Sequence, residues 1–390
     1  MAIPFIYSLR SIAVRKGSSA MAVGGIALVV VVFVTLLSLA AGFQRVVESS
    51  GSPTNVIVVR KGADAELQSQ VMRDTARIIS ELPIVAETDG LKQLVFESVL
   101  IVARPKRTGG ETNVTIRGVL PLSPLVHSDV RLAQGCWPTP GSNEAVIGVA
   151  LNRRLRDVGI GQTMTIGRNT WHIVGTFEAG GSALESELWM DSDLLQSSFH
   201  RGGVFQSVLF RAGTSADEAV RELNALIESD PRLRTVQAMT EVEYYRKQAK
   251  LMSDVITILG GILTTIMSIG AIVGATNTMY AAVSQRKREI GCLLAMGFTP
   301  AAIWIAFMLE SLLLAALGAA LGCSVSLLFN GMRTGTTNWA TFSETAFEFL
   351  VTPQILVTAA FFSLLMGFIG GVTPAFRAAS MKVVDALRRA

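Results

Sequence analysis

Gly17-Ser-Ser-Ala-Met-Ala-Val-Gly-Gly-Ile-Ala-Leu-Val-Val-Val-Val-Phe-Val-Thr-Leu-Leu-Ser-Leu-Ala-Ala-Gly-Phe-Gln44 carries no charged residue between Lys16 and Arg45. A helix rises ~1.5 Å per residue, so ~20 mostly apolar residues cross the hydrocarbon core of a bilayer. This stretch is long enough. Working outward along the chain, no charge falls between Asp254 and Arg286 or between Glu348 and Arg377, and Ala301–Phe329 carries only Glu310. All four stretches read as spans. The polar, turn-rich residues between the first and second spans read as one large domain. The expected fold is therefore an α-helical membrane protein with four transmembrane helices and a large α+β extracytoplasmic domain between helices 1 and 2.

The expected boundaries follow: a cytoplasmic amphipathic N-terminal helix at 1–18, spans at 19–43, 253–283, 301–329 and 353–373, and the extracytoplasmic domain at 44–252. A cytoplasmic loop fills 284–300, a short external loop 330–352 and a cytoplasmic tail 374–390. Composition agrees. Half the residues are hydrophobic, 16% are charged and mean hydropathy is +0.46, whereas soluble chains carry about 25% charged residues. The formal net charge of +4 points to no nucleic-acid partner, because the basic residues flank the spans. Arg10, Arg15 and Lys16 precede the first, Arg286, Lys287 and Arg288 separate the second and third, and Arg377, Lys382, Arg388 and Arg389 follow the fourth. By the positive-inside rule both termini and the Gln285–Pro300 loop are cytoplasmic. The first apolar run exceeds the ~7–15 residues of a signal-peptide core, so it reads as an uncleaved anchor.

The domain at 44–252 must stand without disulfides, since Cys136, Cys292 and Cys323 fall in different compartments. Val56–Val59 reads as a buried strand, Asp64–Ser80 as a helix, and Phe96–Ala103 with Asn113–Val119 as a hairpin with a long polar tip. Thr163–Ile166 and Trp171–Val174 make a tighter hairpin signal. Ser207–Phe210, Ala216–Ser229 and Thr235–Ala238 form a strand–helix–strand unit. Chemistry is absent from the pattern. His127, His172 and His200 lie far apart, no metal-ligand spacing occurs, and no GxSxG elbow is present. No catalytic residue and no metal ligand is nominated, and the acidic residues are scattered.

The sharpest local signal is Gln285-Arg-Lys-Arg-Glu-Ile-Gly-Cys-Leu-Leu-Ala-Met-Gly-Phe-Thr-Pro300. A basic cluster ends the second span. Ile290, Leu293 and Leu294 recur at helical spacing, Gly297 ends the turn, and Thr299-Pro300 suits a helix start. The pattern describes a short amphipathic helix under the membrane.

Arg288-Glu289-Ile290-Gly291 followed by Ala295-Met296-Gly297 resembles the signature loop of the MacB/FtsX-like permease family of ABC transporters. Glu310 through Gly322, the Thr373–Ala379 tail with Asp385–Arg388, and Gly159–Ile166 with His172–Phe177 resemble other segments of that family. The resemblance covers nearly the whole chain. It implies that the loop is a coupling helix docked on a cytoplasmic ABC ATPase, with Arg288, Glu289, Ile290, Gly291, Ala295, Met296 and Gly297 as its motif. It implies a dimer with a second copy or a homologous permease, and an inner-membrane location in a bacterium. A periplasmic adaptor and an outer-membrane channel are further partners where the cell has two membranes. The family's prototype carries its own ATPase domain. Here no GxxxxGK[ST] P-loop occurs, so the chain is expected to bind no cofactor, with ATP and Mg on a separate subunit and no catalysis of its own.

Inside the spans, Glu310 is the one well-embedded carboxylate, and such groups are costly to bury. Its expected role is pairing with a neighbouring helix, with proton carriage or substrate binding as the alternative. Gly270 and Gly274, Gly318 and Gly322, and Gly367 and Gly371 make GxxxG faces for close helix packing. Phe5, Ile6, Leu9, Ile12 and Ala13 give the N-terminus an apolar face for the inner surface. Trp339, Phe342, Phe347 and Phe349 read as anchors among the membrane lipids at the outer surface. Two functions remain beside export or extraction of a lipid, lipoprotein, peptide or small amphiphile. One is an FtsX-like regulator that transmits motion to an external cell-wall hydrolase; the other is a membrane receptor without an ATPase.

Overall fold

The computed structural model describes residues 16–127, 129–200, 202–337 and 342–383. The N-terminal amphipathic segment, Trp339 and the Asp385–Arg389 part of the tail lie outside them. The chain divides into two compact units. Of the described residues, one holds 16–41, Asp254–Met332 and 349–383; the other holds Gly42–Ser253 and Arg333–Glu348.

The first unit contains the apolar parts of four long helices, Lys16–Glu48, Glu241–Gln285, Pro300–Leu327 and Pro353–Ala379, each long and apolar enough to cross a membrane. The last two start cleanly. Thr299 and Thr352 accept bonds from the amides of Ala302 and Ile355, and Pro300 and Pro353 occupy the first turn, where a missing N–H costs nothing. Small residues let the helices close up. Ser311 and Ser363 donate to the carbonyls of Gly367 and Ala315 at 2.6 and 2.8 Å, joining the third and fourth helices. Thr276 donates to Gly370 at 3.0 Å and ties in the second. Only 17% of the most apolar stretch of the second helix is buried, leaving Ile258, Leu259, Ile262, Ile266 and Ile269 exposed. Water would not tolerate so long an apolar face; a bilayer does.

The second unit is built on a ten-stranded mixed sheet. Its strands are β1 (Asn55–Arg60), β5 (Leu94–Pro105), β6 (Glu111–Val119), β7 (Arg131–Gly135), β8 (Glu144–Gly148), β9 (Thr163–Ile166), β10 (Asn169–Glu178), β11 (Glu187–Asp191), β13 (Ser207–Arg211) and β14 (Val236–Thr240). Short pairs outside it are β2 (Val71–Met72) with β12 (Val204–Phe205), β3 (Glu87–Thr88) with β4 (Leu91–Lys92), and β15 (Arg333–Thr337) with β16 (Glu344–Glu348). The main order is β14-β1-β13-β5-β6-β11-β8-β10-β7, with β9 beside β10. β6–β11 and β8–β10 run parallel.

The long strand β5 joins two half-sheets. Leu94–Glu97 pair with β13, and Ser98–Pro105 pair with β6. Each half has its own apolar core. Val56, Val58, Val208 and Phe210 pack with Ile79, Leu223 and Ile227 of the Arg73–Ser80 and Ala216–Ser229 helices. Ile116, Ile147, Trp171, Ile173 and Met190 pack with Leu151 and Leu195. Between the cores, at the Glu97–Ser98 junction, the buried residues turn polar.

The expected helix at Asp64–Ser80 forms only from Arg73. Glu66–Gln68 is a single tight turn, and Val71–Met72 is a strand paired to β12. The Glu66 carboxylate is drawn to Arg117, an interaction that outweighs the modest helix propensity of the segment. The expected external loop at 330–352 contains the β15–β16 hairpin, which belongs to the sheet unit.

Candidate functional site

The loop between the second and third long helices forms the short helix Lys287–Ala295. Its buried side is Ile290 and Gly291, where Ile290 packs with Met279, Val283, Ile303 and Phe307. Arg288, Glu289, Ala295, Met296 and Gly297 are exposed. Gly297 has φ +91°, a conformation that glycine adopts without strain. The loop thus presents a charged and apolar face whose inner side is fixed by packing.

Arg286 sits at the head of this helix. Its Nη1 donates to Glu310 Oε2 at 3.0 Å, and its Nε donates to Glu289 Oε2 at 3.1 Å. Its guanidinium also lies over the Phe307 ring, 5.4 Å from the centroid. Glu310 is buried, whereas the Glu289 side chain is 59% exposed. The intramembrane carboxylate and the loop motif therefore share one arginine. That link was not legible beforehand, because Arg286 read only as a topology charge.

The glycine faces differ. A Cβ on Gly318 would meet Ile26 at 2.7 Å, on Gly322 Val30 at 2.7 Å, on Gly367 Ala315 at 2.4 Å and on Gly371 Ser311 at 2.7 Å. These four sit in close helix contacts. Gly270 and Gly274 meet nothing within 4 Å.

A second cluster, unforeseen from sequence, fills the polar junction of the sheet unit. Arg117 on β6 donates to Glu66 at 2.9 Å, Glu97 at 2.7 Å and Glu187 at 2.8 Å. Ser207 adds a hydroxyl to Glu66 at 2.5 Å, and Trp189 donates its indole N–H to Glu187 at 2.8 Å. His127 Nε2 bonds Glu97 at 2.9 Å, while its Nδ1 faces Glu241 Oε1 at 3.8 Å. Glu241, the first residue of the second long helix, accepts from the Ser52 backbone N–H at 2.9 Å and from the Asn55 side-chain amide at 3.0 Å. The cluster therefore gathers the segment just after the first long helix, the start of the second, and both half-sheets.

Four buried carboxylates face one arginine and one histidine, and their protons distribute accordingly. Burial raises Glu97, but the charges and bonds of His127 and Arg117 outweigh it and hold the carboxyl at about 2. Burial pushes Glu241 up to about 7 against the pull of His127 and its bonds to Ser52 and Asn55. Burial lowers His127, but the charge and bond of Glu97 raise it above its usual value. No group of histidine, cysteine or acidic side chains able to hold a metal occurs among the described residues, and the chemistry of this cluster is electrostatic cross-linking.

The β15–β16 hairpin is also fastened within the sheet unit. Glu344 pairs with Lys106 at 2.8 Å and with Arg154, and accepts from Thr112. Asn113 donates to the Phe342 carbonyl at 2.9 Å.

Four helices long and apolar enough to cross a membrane, with a mixed-sheet domain, are the architecture of a multi-pass membrane protein. Residues 19–226 match the profile of the MacB-like periplasmic core domain, and residues 261–383 match that of the FtsX-like permease C-terminal domain. The chain belongs to the MacB/FtsX-like permease family of ABC transporters. It is 24% identical over 398 residues to the uncharacterized ABC transporter permease YknZ of Bacillus subtilis, covering 98% of this chain and 97% of that one. It is 24% identical over 388 residues to the macrolide export ATP-binding/permease protein MacB of a Shewanella strain, covering 94% of this chain and 57% of MacB. The periplasmic region of MacB from Actinobacillus actinomycetemcomitans aligns with 53% of the chain and 94% of that structure, at 10% identity and a TM-score of 0.38. The protein is an inner-membrane, multi-pass ABC transporter permease of the MacB/FtsX type.

Proposed function

We propose that this chain couples ATP hydrolysis by a separate cytoplasmic ATPase, which binds ATP and Mg, to movement of an extracytoplasmic domain, residues 44–252. The movement exports or extracts a lipid, lipoprotein, peptide or small amphiphile. The chain works as a dimer, with both termini in the cytoplasm. The observation that carries the reading is Arg286, which bonds both the exposed Glu289 and the buried Glu310. An ATPase groove that engages Glu289 competes for that arginine and so acts on the third helix. The second helix runs unbroken from Glu241 to Gln285. It therefore has the buried cluster at its first residue and the loop at its last. A push at the loop reaches Glu241 along hydrogen-bonded backbone.

The test is a mild-detergent pull-down from native membranes of the wild type and of Glu289→Lys. A P-loop ATPase recovered with the wild type and lost with the variant, while the variant stays intact in the membrane, supports the reading. Equal recovery with both removes Glu289 from the contact, and no ATPase with either moves a receptor role to the front. Co-purification of a cell-wall hydrolase in place of an amphiphile would mark the chain as a mechanical regulator.

A further inference from the structure

Two short basic runs, Arg104-Pro-Lys-Arg107 and Arg153-Arg-Leu-Arg156, are far apart in the chain and are bonded together in the sheet unit. Lys106 and Leu155 form a β-bridge. The Arg107 amide donates to the Arg154 carbonyl at 2.9 Å, and the Arg156 amide donates to Pro105 at 3.2 Å. The guanidinium of Arg107 is held by the carbonyls of Leu155 and Asn152 at 2.7 and 3.2 Å, and that of Arg104 by Thr165. Of the six cations, Lys106 and Arg154 share Glu344. Arg104, Arg107, Arg153 and Arg156 form no ion pair among the described residues. Arg107 and Arg156 line an open groove of about 570 Å³ with Asp157 and Ile160. Two arginines against the single carboxylate of Asp157 leave this groove with excess positive charge, and an anionic ligand relieves the like-charge repulsion.

We infer that this face binds the phosphate headgroups of anionic lipids in the outer leaflet. Guanidinium groups held by backbone carbonyls keep further N–H donors in a planar fork, the geometry that meets phosphate oxygens in pairs. The patch is also amphiphilic. Ile160, which lines the groove, is 46% exposed, giving the mixture of cation and apolar side chain that suits a headgroup boundary. Connectivity favours a lipid over a soluble acidic protein. Glu344 lies on the β15–β16 hairpin, which begins at Arg333 shortly after the third long helix ends at Leu327. The hairpin ends at Glu348, just before the fourth begins at Pro353. The chain thus tethers the patch to two membrane helices. The inference requires a membrane but not ATP coupling.

The experiment uses the full chain in nanodiscs of phosphatidylcholine alone or mixed with phosphatidylglycerol, read by amide hydrogen exchange over residues 104–112 and 153–162. Exchange is expected to slow at least ~3-fold in the anionic discs and to recover in ~0.5 M salt, where screening shortens to a few ångströms. The Arg153→Glu/Arg156→Glu double variant should lose the protection with exchange in β1 and β13 unchanged, since neither side chain takes part in the fold's bonding. Equal exchange in both discs overturns the inference. So does equal protection by inorganic phosphate in phosphatidylcholine discs, which marks a free-anion site. Protection that needs added membrane-extract protein overturns it in favour of an acidic protein partner.

Discussion

Two arginines organise this protein, and they are set in opposite ways. Arg117 is wholly inside the sheet unit, with three carboxylates around its guanidinium. Arg286 has one buried carboxylate, Glu310, and one exposed, Glu289. The chemistry is the same and the solvation is not. A closed cluster cannot exchange partners without leaving a bare charge in a low-dielectric interior, so it fixes geometry. A cluster with one partner in water can trade that partner at little cost. The first is suited to holding strands and helix ends together, the second to receiving a signal.

The comparison breaks most visibly at Arg117. Arg117→Met removes the cation and leaves Glu66, Glu97 and Glu187 buried together. Losing one side of a buried pair costs roughly 3–5 kcal/mol, and in a unit of this size each kcal/mol moves the melting temperature by about 2–4 °C. A melting temperature lowered by about 10 °C or more in detergent is expected. A change within a few degrees would show that the carboxylates had taken up protons without strain, and Arg117 would cease to be a structural cross-link. Glu310→Ala probes the other arginine. It leaves Arg286 with Glu289 and Phe307, and a drop of about half that of Arg117→Met is expected, because the guanidinium can turn toward water. An equal drop would erase the contrast between the clusters.

Acidity sharpens the contrast further, because Glu97, His127 and Glu241 titrate in different senses. Glu97 falls from 4.5 to about 2 on folding, so its contribution is present above 4.5 and is lost as pH falls toward 2. Glu241 rises from 4.5 to about 7, so the folded state binds the extra proton and stability falls as pH rises across that window. His127 is raised above 6.5; its contribution is full below 6.5 and is lost as pH rises through its folded value. The melting temperature should therefore peak near pH 4.5, fall as pH rises from about 4.5 to 7 with Glu241, and fall further as pH rises from 6.5 through the raised His127 value. Glu241→Gln, which keeps an acceptor for Ser52 and Asn55, should match the wild type near pH 5 and exceed it near pH 8. Parallel pH profiles for the two proteins would show that Glu241 is already neutral throughout, or already charged.

The membrane half of the fold was legible because a bilayer imposes length and apolarity on each helix separately, and Lys16–Glu48 or Pro353–Ala379 declare both within one stretch. The strands were readable for the same local reason: β9 and β10 announce their own hairpin. The Arg117 cluster was not. Its members stand at 66, 97, 117, 127, 187 and 241, and only the pairing of β5 with both β13 and β6 brings them together. The Asp64–Ser80 reading failed at the same place, since Glu66 leaves the helical pattern to reach Arg117. In the loop, the motif singled out Glu289 for its expected contact with an ATPase. Its bond to Arg286, and through it to Glu310, depends on how two helices pack, which the motif does not encode.

The smallest expected effect on stability is also the most discriminating for function. Glu289→Ala removes an exposed partner from an i,i+3 pair at a helix start, an interaction worth about 0.3–0.5 kcal/mol. The melting temperature should shift by no more than about 2 °C, and the short helix Lys287–Ala295 should persist because Ile290 remains packed. ATPase activity of the reconstituted complex should nonetheless lose its dependence on this subunit, since the face offered to the partner has lost its acidic group. Glu310→Gln should do the reverse, lowering the melting temperature while leaving ATPase recovery in the pull-down intact. If Glu289→Ala destabilises the protein as much as Glu310→Gln does, the open half of the Arg286 cluster is structural after all. The signal must then enter elsewhere on the loop, with the exposed Met296 and Ala295 as the next residues to change.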